Sequence, residues 1–242
     1  MSTQNEDFEK DDPLADLFSD SKETTLKEQL PTRGKVYPGH SGYVTIRPMN
    51  FSDEQEMAKS KGDALLDLVI DRCVDSVDVD SLLSIDKLFL LYKIREASFG
   101  NDLTISTACT KCGNKEKLSI ELDKLPIDLV EDDFNGTSTF LLPSLNKEVS
   151  VRIPTSKELS DILDKQELLQ NLWRFVDEIG GITDKKVISQ AIKRLTSVDL
   201  REIQKSLELQ DFGIQTKAIY KCSRPSCGEE HEINIPIHEG FF

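Results

Sequence analysis

The chain has 242 residues, 30 basic and 44 acidic, and a formal net charge of −14. At 38% hydrophobic and 31% charged it is long enough for one or two domains with real cores. An acidic surface repels phosphates and anionic lipid heads, which argues against nucleic-acid and membrane partners. The longest apolar runs, near Leu65–Ile70 and Leu88–Leu91, fall far short of a bilayer span. No basic-then-apolar leader opens the chain, so a soluble cytosolic protein is the default expectation. In that reducing setting five cysteines, an odd number, become informative.

Residues 1–26 carry eight acidic and two basic side chains, a net of −6, which leaves −8 for the remainder. Such a segment buries too little apolar area to offset its ordering entropy, and a disordered acidic tail is expected. Leu14, Leu17 and Phe18 fall at helical spacing within it. They are either stray apolar residues of a solvated tail or the Leu/Phe face of a short acidic helix that docks in a partner's groove.

The folded part is expected from about Leu30. Leu30-Pro-Thr-Arg-Gly-Lys-Val-Tyr-Pro38 is turn-rich, with two prolines and a glycine. Tyr43–Arg47 reads as a short strand halted by Pro48, and Ser52-Asp53-Glu54-Gln55 as a capping box opening a helix over 53–60. Leu66, Val69, Ile70 and Cys73 lie at i, i+3, i+4, i+7 on one helical face, so Cys73 reads as a small buried hydrophobe. Ser84 to Gly100 predicts a second helix, apolar over more than half its circumference and therefore central. Residues 102–121 and 214–235 predict two β-hairpins, and Thr137–Leu142 with Glu148–Ile153 a strand pair. Thr155-Ser-Lys-Glu158 is another capping box. It is expected to open a long helix carrying Leu159, Ile162, Leu163, Leu169, Leu172, Trp173, Val176 and Ile179 on one side, stopped by Gly180-Gly181. Helices near 185–195 and 198–209 follow.

The chemistry lies in Cys109-Thr-Lys-Cys112-Gly113 and Cys222-Ser-Arg-Pro-Ser-Cys227-Gly228, each at a hairpin tip. Four thiolates at about 2.3 Å in a tetrahedron suit Zn2+, and a closed four-sulfur site is structural because no position is left for water. The alternative is two unrelated thiol pairs, or disulfides in an oxidising setting. His231 is expected on the outgoing strand rather than among the ligands. With 109 residues between the pairs, one zinc would make a split ribbon. The expected fold is α+β: a mainly helical body with a split four-cysteine zinc ribbon, made of two β-hairpins and a helical insertion. The divisions are 1–26 (tail), 27–101 (strand plus helices), 102–153 (first ribbon hairpin and strand pair), 154–213 (helical insertion) and 214–242 (second ribbon hairpin).

Both ribbons are neutral in side-chain charge and lack a basic stripe with interleaved aromatics, which speaks against nucleic acid. The three histidines have no nucleophile in a recognisable setting, and no Gly-rich phosphate loop or metalloprotease motif is present. No enzymatic activity is expected.

Taken in order, Leu30–Pro38, Val44-Thr-Ile-Arg-Pro-Met49 with Ser52-Asp-Glu54, Leu82–Gly100 running into Thr107–Gly113, the C-terminal Cys-x4-Cys knuckle and the Phe241-Phe242 ending resemble a known family. The pattern is similar to the base-plate hub proteins of T4-like contractile-tailed bacteriophages, over most of 28–242. The resemblance implies a viral component or assembly factor of the tail base-plate hub, acting by contacts with other hub or tail proteins. It would be found in the host cytoplasm during assembly and in the virion tail base plate. The competing readings are a cellular zinc-ribbon adaptor in transcription or quality control, and a hydrolase whose carboxylates converge only in the fold.

Overall fold

The computed structural model describes residues 25–160, 165–208, 212–235, 237 and 241–242. Leu14, Leu17 and Phe18 lie outside the described residues, as do Asp211 and His238.

Strand β1 (Leu26–Gln29) pairs antiparallel with β2 (Tyr43–Ile46), so Leu26, placed by composition at the end of the tail, belongs to a sheet. Between them the Pro- and Gly-rich loop doubles back. Gly34 and Gly42 have positive φ and lie backbone to backbone; a Cβ on Gly42 would meet the Arg33 carbonyl oxygen at 2.4 Å. Buried Asp86 holds this loop from the next layer. It accepts from Thr32 N (3.1 Å), Thr32 Oγ1 (2.6 Å) and the Tyr37 hydroxyl (2.6 Å), and burial raises its pKa.

Helix α1 (Phe51–Met57) is capped by Asn50, not Ser52, with Asp53 completing the box. The register moved because Asp53 also takes a bidentate Arg47 and Arg72 Nε, which fixes it inside the first turn. Helices α2 (Asp63–Cys73) and α3 (Ser84–Phe99) follow. The centre of α3 is buried on most sides, as its apolar circumference requires. Hairpin β3 (Asp102–Ala108) and β4 (Lys115–Glu121) leads to the two-residue strand β5 (Ile127–Asp128).

Next come β6 (Thr137–Leu141), β7 (Glu148–Arg152), α4 (Ser156–Ser160), α5 (Lys165–Asn171) and a 3-10 turn at Leu172–Arg174. The long helix expected through Ile179 does not form. Val176–Ile179 is strand β8, paired antiparallel with β7. The spacing of Val176 and Ile179 fits either element, and both side chains are buried at the sheet. The expected capping box at Thr155 is present, with Glu158 N donating to Thr155 Oγ1 (3.2 Å) and Thr155 N to Glu158 Oε2 (3.1 Å). Helices α6 (Lys185–Ile192) and α7 (Ser197–Glu208) complete this part.

β9 (Gly213–Ile214) pairs with β5, so the second hairpin starts later than expected: β10 (Lys217–Lys221) pairs with β11 (Glu230–Asn234). Strands and helices share the body, and the fold is α+β. One core joins β1, β2, α2 and α3 to Leu103, Ile120, Ile214, Ile235 and Phe241. A second packs Leu142, Val149, Val151, Leu172, Phe175 and Val176 against Ile188, Ile192, Ile203 and Leu207. A small cluster of Leu83, Ile85 and Ile153 joins Phe134 and Phe212.

Candidate metal centre

Each cysteine pair sits in a turn that its hairpin imposes. β3 delivers Cys109, whose N–H donates to Asn114 O (2.9 Å), while Gly113 N donates to Cys109 O (2.8 Å). β10 delivers Cys222, whose N–H donates to Glu229 O (2.8 Å), and Cys227 N donates to Arg224 O (2.9 Å). The second loop is longer by two residues, yet both turns close with a glycine in the left-handed region, Gly113 at φ 70° and Gly228 at φ 60°.

The same backbone logic reaches the sulfurs. Cys109 accepts from the N–H groups of Cys112 and Lys111, Cys112 from Asn114, Cys222 from Arg224 and Cys227 from Glu229. Each sulfur thus has an amide two residues on, oriented to stabilise negative charge. The Asn114 N–H leads in holding the Cys112 thiol down to about 7. Burial dominates at Cys222 and pushes it up to about 12.

The two tips face one another. Cys109 Sγ lies 3.8 Å from Cys227 Sγ, and Cys112 Sγ lies 3.6 Å from Cys222 Sγ. All four sulfurs are within 4.8 Å of one another. A tetrahedron with metal–sulfur bonds of about 2.3 Å has edges of about 3.8 Å, so the cluster has the dimensions of a four-thiolate site. Cys109 and Cys222 are buried, Cys112 and Cys227 half-buried. Four thiols this close cannot all ionise without a compensating cation, whereas a bound divalent metal keeps coordinating thiols deprotonated.

His231 lies on β11, as expected, in register with Tyr220, the two rings tilted by 32° with centroids 5.1 Å apart. Its Nε2 is 3.1 Å from Cys109 Sγ, so the imidazole neighbours one sulfur of a cluster that already holds four. Cys73 is buried in the first core, apart from this cluster, and burial raises its thiol to about 11.

Sequence reasoning missed the polar latch between the tips. Glu116 on β4 is buried, and its Oε1 accepts from Ser223 N (2.8 Å), Ser223 Oγ (3.1 Å) and Asn114 Nδ2 (2.8 Å). The Ser223 N–H leads in lowering its carboxyl to about 2. Lys111 pairs with Glu229 across the same junction at 2.5 Å. No spacing rule joins Glu116 to a serine 107 positions away; the only signal was an acid within an otherwise basic strand start.

No helix among the described residues is long and apolar enough to cross a membrane. The profile of the family described as T4 bacteriophage base plate protein matches residues 22–242, nearly the whole chain and both cysteine knuckles. Comparison with curated proteins and with solved structures finds no match.

Proposed function

The chain belongs to the T4 bacteriophage base plate protein family, and we propose from this that it serves the central hub of the tail base plate, as a component or assembly factor. It acts through contacts with other hub or tail proteins, without a reaction. The family match over residues 22–242 carries this reading. On it the protein is made in the host cytoplasm and takes its place in the virion tail.

The four-cysteine cluster is assigned to one structural Zn2+. Cys109, Cys112, Cys222 and Cys227 would hold it, and the metal would supply a covalent-strength link between two hairpins far apart in sequence. A closed four-sulfur shell leaves no site for an activated water, which removes the metal-assisted form of the hydrolase reading. A cellular zinc-ribbon adaptor would share the cluster but not the family.

The acidic arm before Thr25, with Leu14, Leu17 and Phe18, is assigned as a partner-binding segment for a neighbouring hub protein. Co-expression with hub and tail proteins, followed by affinity purification and metal analysis of the same sample, tests these assignments. One zinc per chain with a hub partner is expected. A metal-free monomer that captures no hub or tail protein overturns both.

A further inference from the structure

The first core leaves an apolar groove open at the end where the described chain begins. It encloses about 470 Å3 and is lined by Met49, Met57, Leu65, Phe99 and Phe242, with Glu54 and Lys61 at its polar margin. That volume falls within the range of about 300–1,000 Å3 usual for built pockets. Phe51, one turn before Glu54 on α1, is 73% exposed.

Two cations near this groove have no carboxylate partner among the described residues. Lys61 lines it. The Arg95 guanidinium lies over the Phe99 ring, 4.8 Å from its centroid, and its Nε is buried with no hydrogen-bond partner. A guanidinium without a carboxylate partner can pair with an arriving one through its terminal nitrogens.

The backbone shows where an acidic segment would arrive. β1 runs antiparallel to β2 with Leu26 opposite Ile46. The described chain therefore starts at Thr25, beyond the Ile46 end of this pair, on the side where the chain after β2 runs on through Arg47 and Pro48 to Met49. Met49 in turn is held to the end of α3 by its N–H bond to Ser98 Oγ (2.9 Å). Phe18 stands seven residues before Thr25, a reach of up to about 25 Å when extended. Leu14, Leu17 and Phe18 form an i, i+3, i+4 set with Asp16 and Asp20 beside them, an apolar stripe flanked by carboxylates.

We propose that in the free chain this arm folds back on its own body. Leu14, Leu17 and Phe18 occupy the Met49–Met57–Leu65–Phe99–Phe242 groove, and arm carboxylates meet Lys61 and Arg95. The groove is then the arm's own docking site in the free chain, which deepens the partner-binding role assigned above and rests on it.

Hydrogen exchange of the full-length protein against the Leu14→Ser, Leu17→Ser, Phe18→Ser variant tests the proposal, because none of the three residues belongs to either described core. Backbone amides of 51–61 are expected to exchange several-fold faster in the variant at every protein concentration, with 137–152 unchanged. Equal exchange at 51–61 in the two proteins overturns the proposal. So does protection that grows with protein concentration, which would place the arm on a second copy. A failed hub capture with groove protection intact would instead count against the partner assignment alone.

Discussion

Glu116 does its work away from its own strand. Its carboxylate ties the first knuckle to the second through Ser223, and Asn114 supports it from the neighbouring turn. Replacing it by alanine removes the acceptor of all three bonds and leaves the Ser223 N–H without this partner. Groups that hold ligands from outside the coordination shell typically govern metal affinity by about 10–100-fold. Glu116→Ala is therefore expected to release metal to a chromogenic chelator faster by about that factor, while the Lys111–Glu229 pair still aligns the tips. An unchanged release rate would show that the latch is incidental. The cysteines themselves were legible, since a short loop, a following glycine and flanking strands are local facts. Glu116, Ser223 and Asn114 were not, because their meeting depends on how two hairpins dock.

Among the elements, α4 shows a cap that also fastens a sheet. Glu158 accepts a bidentate Arg152 from β7 at 2.7 and 2.6 Å and closes the Thr155 box. The Arg152 contact leads in lowering its carboxyl to about 2. Because the folded value lies below that of the unfolded chain, the stabilisation is present above the ordinary carboxylate range and is lost as pH falls toward about 2. Glu158→Gln should cost about 1–2 kcal/mol near neutrality, a few degrees in Tm for a chain of this size. The gap to the unsubstituted protein should close between about pH 4.5 and 2. Thermal melts at stepped pH check it, and a gap independent of pH would contradict the assignment. This box was legible because it spans four consecutive residues. β8 was not: its Val176 and Ile179 satisfy a helical face equally well, and only pairing with Val149–Val151 decides for strand. β1 was hidden for a related reason. Leu26–Gln29 has one apolar residue and borders the acidic segment, so its strand character comes from the partner β2.

At the scale of the whole molecule, the two cores assign the proposed metal to one of them. Both cysteine hairpins are rooted in the first core, through Leu103 and Ile120 at the base of β3–β4 and through Ile235 after β11. The Tyr92 hydroxyl donates to Ile235 O (2.7 Å), and the Tyr92 ring meets Phe241 edge-on. The second core, built from residues inserted between the hairpins, has its own sheet and helices. Small structural zinc sites bind with apparent energies of about 10–16 kcal/mol, against a typical domain stability of about 5–15 kcal/mol. Cys112→Ser with Cys222→Ser is therefore expected to give insoluble or loosened protein, and a soluble double variant with an unshifted cooperative melt would refute the structural role. Chelation of the intact protein should act unevenly. Amides in 102–121 and 217–235 are expected to lose protection first, together with the Tyr92–Ile235 contact. Trp173, the chain's single tryptophan, packs against the second core and reports on it separately. Its emission should stay in place while the hairpins open, because none of the four cysteines belongs to that core and its strands β6, β7 and β8 pair with one another rather than with either hairpin. If the emission shifts in step with metal loss, the cores unfold as one unit, and the bridge of Leu83, Ile85 and Ile153 with Phe134 and Phe212 couples them more strongly than their separate packing suggests.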